Sequence, residues 1–149
     1  MARYSAGTQT GAGSTTLPIA SLFSNGVATV RVVEIGVYNT TTTAVDLGLV
    51  RYGWAAVGTV GTGITPKSLD NPLMTANALC YTTPATGAPT FTSLGYRTEL
   101  GAAAGSGNIW TFGGYGIELP AAAGTLNGIA IIPIIGTGQV CDVYFVFDE

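Results

Sequence analysis

Gly128-Ile129-Ala130-Ile131-Ile132-Pro133-Ile134-Ile135, the turn Gly136-Thr137-Gly138, and Gln139-Val140-Cys141-Asp142-Val143-Tyr144-Phe145-Val146-Phe147 decide the fold class. The first run is apolar on both faces, as a strand covered on both sides must be. In the second, Cys141, Val143, Phe145 and Phe147 alternate with Asp142, Tyr144 and Asp148, which is the period of a half-buried strand. Val140 and Val146 dilute that alternation. A membrane helix needs about 20 apolar residues, and Pro133 breaks this stretch well short of that. The two runs are expected to pair as an antiparallel hairpin at the centre of the core.

The same β signal extends outward over nearly the whole chain. Val27–Tyr38 is long and rich in valine. Thr43–Tyr52 follows the polar loop Asn39-Thr40-Thr41-Thr42, with Val45, Leu47 and Leu49 on one face and Asp46 and Gly48 on the other. These two segments read as a second hairpin. Weaker strands are expected near Tyr4–Thr10, Thr15–Ala20, Leu79–Thr83, Leu94–Leu100, Asn108–Phe112 and Gly116–Leu119. No window carries a 3.6-residue apolar stripe with charge opposite it. The expectation is an all-β, single-domain antiparallel β-sandwich of jelly-roll type with eight or nine short strands. Residues 1–26 read as an extended N-terminal arm with weak edge strands, and 27–149 as the sandwich. Gly53–Asn77 and Pro84–Pro89 are irregular, and long irregular stretches are usually functional. Glu99-Leu100-Gly101-Ala102-Ala103-Ala104-Gly105 is echoed by Glu118-Leu119-Pro120-Ala121-Ala122-Ala123-Gly124, two connections that share small-residue chemistry.

Composition excludes several kinds of chemistry. The chain has 149 residues, enough for one core, with five basic and eight acidic side chains and no histidine. Without histidine there is no Ser-His-Asp triad, no His-ligated zinc and no switch near neutral pH. Five scattered basic residues make no stripe for phosphates, so no nucleic-acid partner is expected. Gly61-Thr62-Gly63 and Gly105-Ser106-Gly107 lack the rest of a phosphate loop. No local motif pairs the carboxylates for acid–base work. Asp70-Asn71 is the one adjacent pair of oxygen ligands that suits calcium, but a site needs at least about six oxygens and no Asp-x-Asp run is present, so Asp70-Asn71-Pro72 reads as a turn. Asn39-Thr40-Thr41 fits a glycosylation sequon but reads as the hairpin loop. We therefore expect no enzyme, no cofactor and no metal. Cys80 and Cys141 read as small buried hydrophobes in a protein made in a reducing cytoplasm, and a bond between them is not demanded. The N-terminus has one positive charge and no apolar run behind it, so neither a signal peptide nor a membrane segment is expected.

The surface points to association. Charged residues are 9% of the chain, against about 25–35% on ordinary surfaces. Threonine, serine, glycine, asparagine and alanine must cover the rest, and such cover suits permanent packing against neighbours. A homo-oligomer is expected, with a trimer favoured. The arm Ala2–Thr16 and the loop Gly53–Asn77 are the expected contact segments. They contribute Arg3, Tyr4, Gln9, Trp54, Lys67 and Asp70 as candidate partner-binding residues. Trp54, or Tyr52 beside it, is also a candidate stacking platform for carbohydrate.

Met1-Ala2-Arg3-Tyr4-Ser5-Ala6-Gly7 with Ser14-Thr15-Thr16-Leu17-Pro18, Glu34-Ile35-Gly36-Val37-Tyr38-Asn39-Thr40, and the ending Gly136 to Glu149 resemble small virion proteins of tailed bacteriophages. The resemblance runs along most of the chain and is thinnest from Trp54 to Pro89. Its motifs are structural rather than catalytic. It implies a capsid decoration (cement) protein, a trimer seated on the major capsid protein at the capsid surface, where it resists internal DNA pressure. A tail, neck or fibre component is the alternative within that class.

Overall fold

The computed structural model describes residues 1–54, 61–84, 91–122 and 126–149. In chain order the strands are β1 (Arg3–Gln9), β2 (Ala20–Phe23), β3 (Val30–Asn39), β4 (Val45–Trp54), β5 (Gly63–Ile64), β6 (Lys67–Ser68), β7 (Leu79–Thr82), β8 (Phe91–Leu100), β9 (Gly107–Thr111), β10 (Ile117–Leu119), β11 (Leu126–Ile135) and β12 (Cys141–Asp148). They form two antiparallel sheets. The first runs β10-β3-β12-β1-β6, with β9 also on β3, and the second runs β5-β7-β2-β11-β4-β8. The all-β sandwich expected from the sequence is therefore present, and the described residues contain no helix.

Each sheet turns one face inward. Val30, Val32, Ile35 and Val37 from β3, and Cys141, Val143, Phe145 and Phe147 from β12, meet Leu22, Leu47, Leu49, Ile129 and Ile131 in one buried cluster. On β3 the inward parity changes between Val32 and Ile35. A bulge explains it, because Val146 pairs with Glu34 while Phe147 pairs with Val32, leaving Val33 extra. A second apolar cluster lies on the outward face of the second sheet, where Phe23, Val50, Tyr52, Ala130 and Ile132 are buried.

Both expected hairpins are corrected. β11 and β12 belong to opposite sheets, β11 between β2 and β4 and β12 between β3 and β1. The reason lies in their outer faces. Ala130 and Ile132 belong to the second apolar cluster, whereas Asp142, Tyr144 and Asp148 face away from the core beside polar neighbours. Side by side, the two strands would mix an apolar and a polar outer surface. β3 and β4 also lie in different sheets, and Asn39 fixes the corner between them. Its side chain is fully buried. Its Nδ2 donates to the carbonyls of Thr43 (2.6 Å) and Gly101 (3.1 Å), and its Oδ1 accepts from the Thr41 amide at 3.0 Å. The glycosylation-like asparagine is thus a core bracket.

The N-terminal segment is corrected too. β1 pairs with β12 over seven positions, from Arg3↔Asp148 to Gln9↔Asp142, and buries Tyr4 and Ala6. β2 is buried along its whole length between β11 and β7. Residues read as an extended arm with weak edge strands instead lie inside both sheets, β1 between β12 and β6 and β2 between β11 and β7. The echoed Leu100 and Leu119 are both buried, and they end β8 and β10 in opposite sheets.

Cys80 and Cys141 are free and buried. Burial pushes the Cys141 thiol up to about 11, with Asp142 adding to the shift, and the Tyr52 phenol up to about 12. Both groups are charged when deprotonated, and the folded state holds their protons more tightly. The stability they contribute is fully present below about pH 8.5, the ordinary thiol value, and is lost as pH rises through those folded values. The urea midpoint is expected to hold steady from pH 7 to 8 and to fall by pH 11. A midpoint unchanged at pH 11 would contradict the burial of these groups.

Candidate partner interface

Four of the six candidate residues lie at one corner. Arg3 begins β1, and its guanidinium makes a two-pronged ion pair with Asp148 on β12, Nε–Oδ1 2.7 Å and Nη2–Oδ2 2.9 Å. Its backbone amide donates to Asp70 Oδ2 at 2.6 Å. Lys67 lies on β6, paired with Ser5 of β1, and is exposed. Tyr4 points the other way, into the core. It is buried and its ring stacks on Phe147 at 5.6 Å, with its hydroxyl 3.5 Å from the Thr75 carbonyl. Four of the six candidates therefore meet around β1 and β6, with Tyr4 as the floor rather than a contact.

The other two lie elsewhere. Gln9 is exposed at the far end of β1, about 20 Å from Arg3 at the usual rise per residue. Trp54 ends β4 in the opposite sheet, and its side chain lies outside the described residues.

The segment after β6 straps this corner. Leu69 N–H donates to the Arg3 carbonyl at 2.8 Å, and Asn77 N–H donates to Glu149 Oε2 at 2.8 Å. Between them Asn71 turns the chain, its Oδ1 accepting from Leu73 N–H at 2.9 Å. Asp70-Asn71-Pro72 therefore acts as a turn. Among the described residues, no three His, Cys, Asp or Glu side chains are grouped to hold a metal ion. The strap carries an apolar ridge. Leu73 is 90% exposed, Leu69 57% and Met74 44%. Sequence reading singled out the loop but not these side chains. The available signal was an apolar Leu-Met pair directly after an Asp-Asn-Pro turn.

Electrostatics order the face around the ridge. Register places Arg3, Asp148, Arg31 and Glu118 in one row across β1, β12, β3 and β10. Signs alternate along it, and Arg31 sits 3.8 Å from Glu118. The Arg3 guanidinium holds the Asp148 carboxyl below its usual range. That pairing is complete above about pH 4 and weakens as pH falls further. Further along the same face the Tyr144 ring lies over Gly36, and its hydroxyl donates to Glu34 Oε1 at 2.7 Å. Tyr38 covers Gly107 in the same way. A Cβ at either glycine would collide with the ring, so these positions keep the face flat.

No family model matches the chain, and no curated protein is similar to it. Among solved structures, the chain is similar to a mutant VP2 protein of infectious bursal disease virus in derived T=1 particles, at 14% identity and a TM-score of 0.16, covering 96% of this chain and 39% of that one. At that score the likeness carries no argument about fold or function.

Proposed function

We propose that this protein is a structural virion protein that decorates a bacteriophage capsid, binding between major capsid subunits as a homotrimer. The observation that carries the reading is the apolar ridge Leu69, Leu73 and Met74. It projects from a strap hydrogen-bonded to both β1 and Glu149, on a chain with few charges. A fixed apolar ridge with a polar surround is the anatomy of a contact between subunits. Repetition over a lattice multiplies modest single contacts. Strand order supports a jelly roll. The eight principal strands run β1-β12-β3-β9 against β2-β11-β4-β8, and the two short connections expected as hairpins pass from sheet to sheet. The resemblance to small phage virion proteins supports the capsid as the partner.

The test is light scattering coupled to size-exclusion chromatography, with and without DNA-filled capsids of the same source. The wild type is expected as a stable trimer that co-elutes with capsids. Leu73→Asp is expected to lose that co-elution while its unfolding free energy stays within about 0.5 kcal/mol of wild type, as for other exposed sites. A monomer that ignores capsids would sink the reading. Full capsid binding by Leu73→Asp would move the contact off the ridge.

A further inference from the structure

β4 carries Leu47, Leu49 and Arg51 on its inward side. The first two are core residues. Arg51 comes where the sandwich opens, so a core-facing position is occupied by a cation. Its Nη2 donates to the backbone carbonyl of Glu118 on β10 at 2.7 Å, which ties one sheet to the other. The Glu118 side chain is turned towards Arg31 instead. Arg3, Arg31 and Arg97 each have a carboxylate within 4 Å, and among the described residues Arg51 has none. Burial lowers its affinity for its proton, and the more distant charge of the Glu118 carboxylate offsets part of that loss.

Arg51 lines a cleft of about 610 Å³ at this mouth, together with Thr92, Asn127, Glu118 and Pro120. The cleft has the size of a small-molecule site. Its walls are fixed. Thr92 sits opposite Arg51 in the β4–β8 register, and Asn127 Nδ2 donates to the Pro120 carbonyl at 2.8 Å. The guanidinium has five donors in a planar fork, and one of them is held by Glu118.

We infer that this mouth is a carboxylate-binding site, with Arg51 as its two-pronged anchor and the Thr92 hydroxyl as a further donor. A planar fork matches a carboxylate, and partial burial strengthens the pair over one in open water. One cation suits a singly charged anion. A dianionic phosphate would need more donors than Arg51 and Thr92 present. The carboxylate comes either from a small organic acid or from an acidic side chain of a bound chain.

The experiment is an NMR titration of the full chain, following the Arg51 Nε–Hε signal and the amides of Thr92 and Asn127. Butyrate is one probe, an acetylated Gly-Glu-Gly amide peptide the second, and glucose the neutral control, so that each acid carries one negative charge. At least one acid is expected to saturate these signals with a dissociation constant of about millimolar. Binding by butyrate alone assigns a free acid, and binding by the peptide assigns an acidic side chain. Arg51→Gln is expected to weaken binding at least about tenfold, a loss of about 1.4 kcal/mol. Thr92→Val, which keeps the shape and the cation, is expected to weaken it a few-fold. Arg97→Gln, on a different face, is expected to bind as wild type. Binding should also fade as pH drops below about 4.3, where the probe carboxylates take up protons. Absence of saturable shifts with both acids, equal shifts with glucose, or undiminished binding in Arg51→Gln would overturn the assignment. None of these readouts involves capsids, so the result stands or falls apart from the decoration reading.

Discussion

Phe145→Ala is expected to lower the unfolding free energy by about 3–5 kcal/mol, the usual cost of deleting a buried aromatic ring. Phe145 is fully buried and faces the inner core. It pairs with Ala6 on one side and Ile35 on the other, so its backbone is held by ladders on both edges. A strand held on both sides cannot move in to fill the space, which puts the loss towards the upper end. Urea denaturation gives the number, with the slope expected to match wild type. Tyr115→Ala is the control, because that side chain is 90% exposed and exposed sites shift stability by about 0.5 kcal/mol or less. A loss near the control value would mean that the two sheets are not packed through Phe145.

Asn39→Asp is expected to cost a similar amount at neutral pH for a different reason. The exchange removes the two Nδ2 donors and turns an anion towards the carbonyls of Thr43 and Gly101 in a fully buried site. An uncompensated buried charge costs about 3–5 kcal/mol. The sign with pH follows from burial, which raises the folded pKa of the new carboxyl. The penalty is smallest below about pH 3.9, the ordinary aspartate value, and grows as pH rises through the folded value. Asn39→Ala loses the same donors without a charge, so its cost is expected to stay level over that range. Urea midpoints at pH 4 and pH 7 separate the two variants. Parallel pH behaviour would show that position 39 is reached by water and does not lock the corner.

The strands themselves were legible because alternation is written directly in Cys141, Val143, Phe145 and Phe147 and in Val45, Leu47 and Leu49. Their partners were not. Period two assigns each residue to a face and says nothing about which sheet owns the strand. Gly136-Thr137-Gly138 looks like a hairpin turn, and the chain uses it to cross the core. The clue was the double-sided apolarity of Ile129–Ile132, which requires cover that a strand like β12 does not need. Arg3, Lys67 and Asp70 could be singled out because charge is scarce in this chain, but that they meet around β1 and β6 was not written in the sequence. Leu73 was hidden among many other apolar residues, and its exposure depends on a strap tied by Arg3 and Glu149 from opposite ends of the sequence. Arg51 was invisible as a site, since a lone arginine ending a strand carries no local sign that the opposite sheet supplies its one carbonyl partner.

The position of β11 and β12 bears on how the molecule comes into being. β12 alone separates β1 from β3, and β11 alone separates β2 from β4. Until residues 126–148 have been made, the first four strands have none of these central partners, and Arg3 waits for an aspartate 145 positions away. Folding rates fall as such distant pairings come to dominate. A growing chain on the ribosome can pair β2 with β7, β4 with β8 and β3 with β9, but it cannot join these pieces into either sheet until synthesis reaches the two strands that close them.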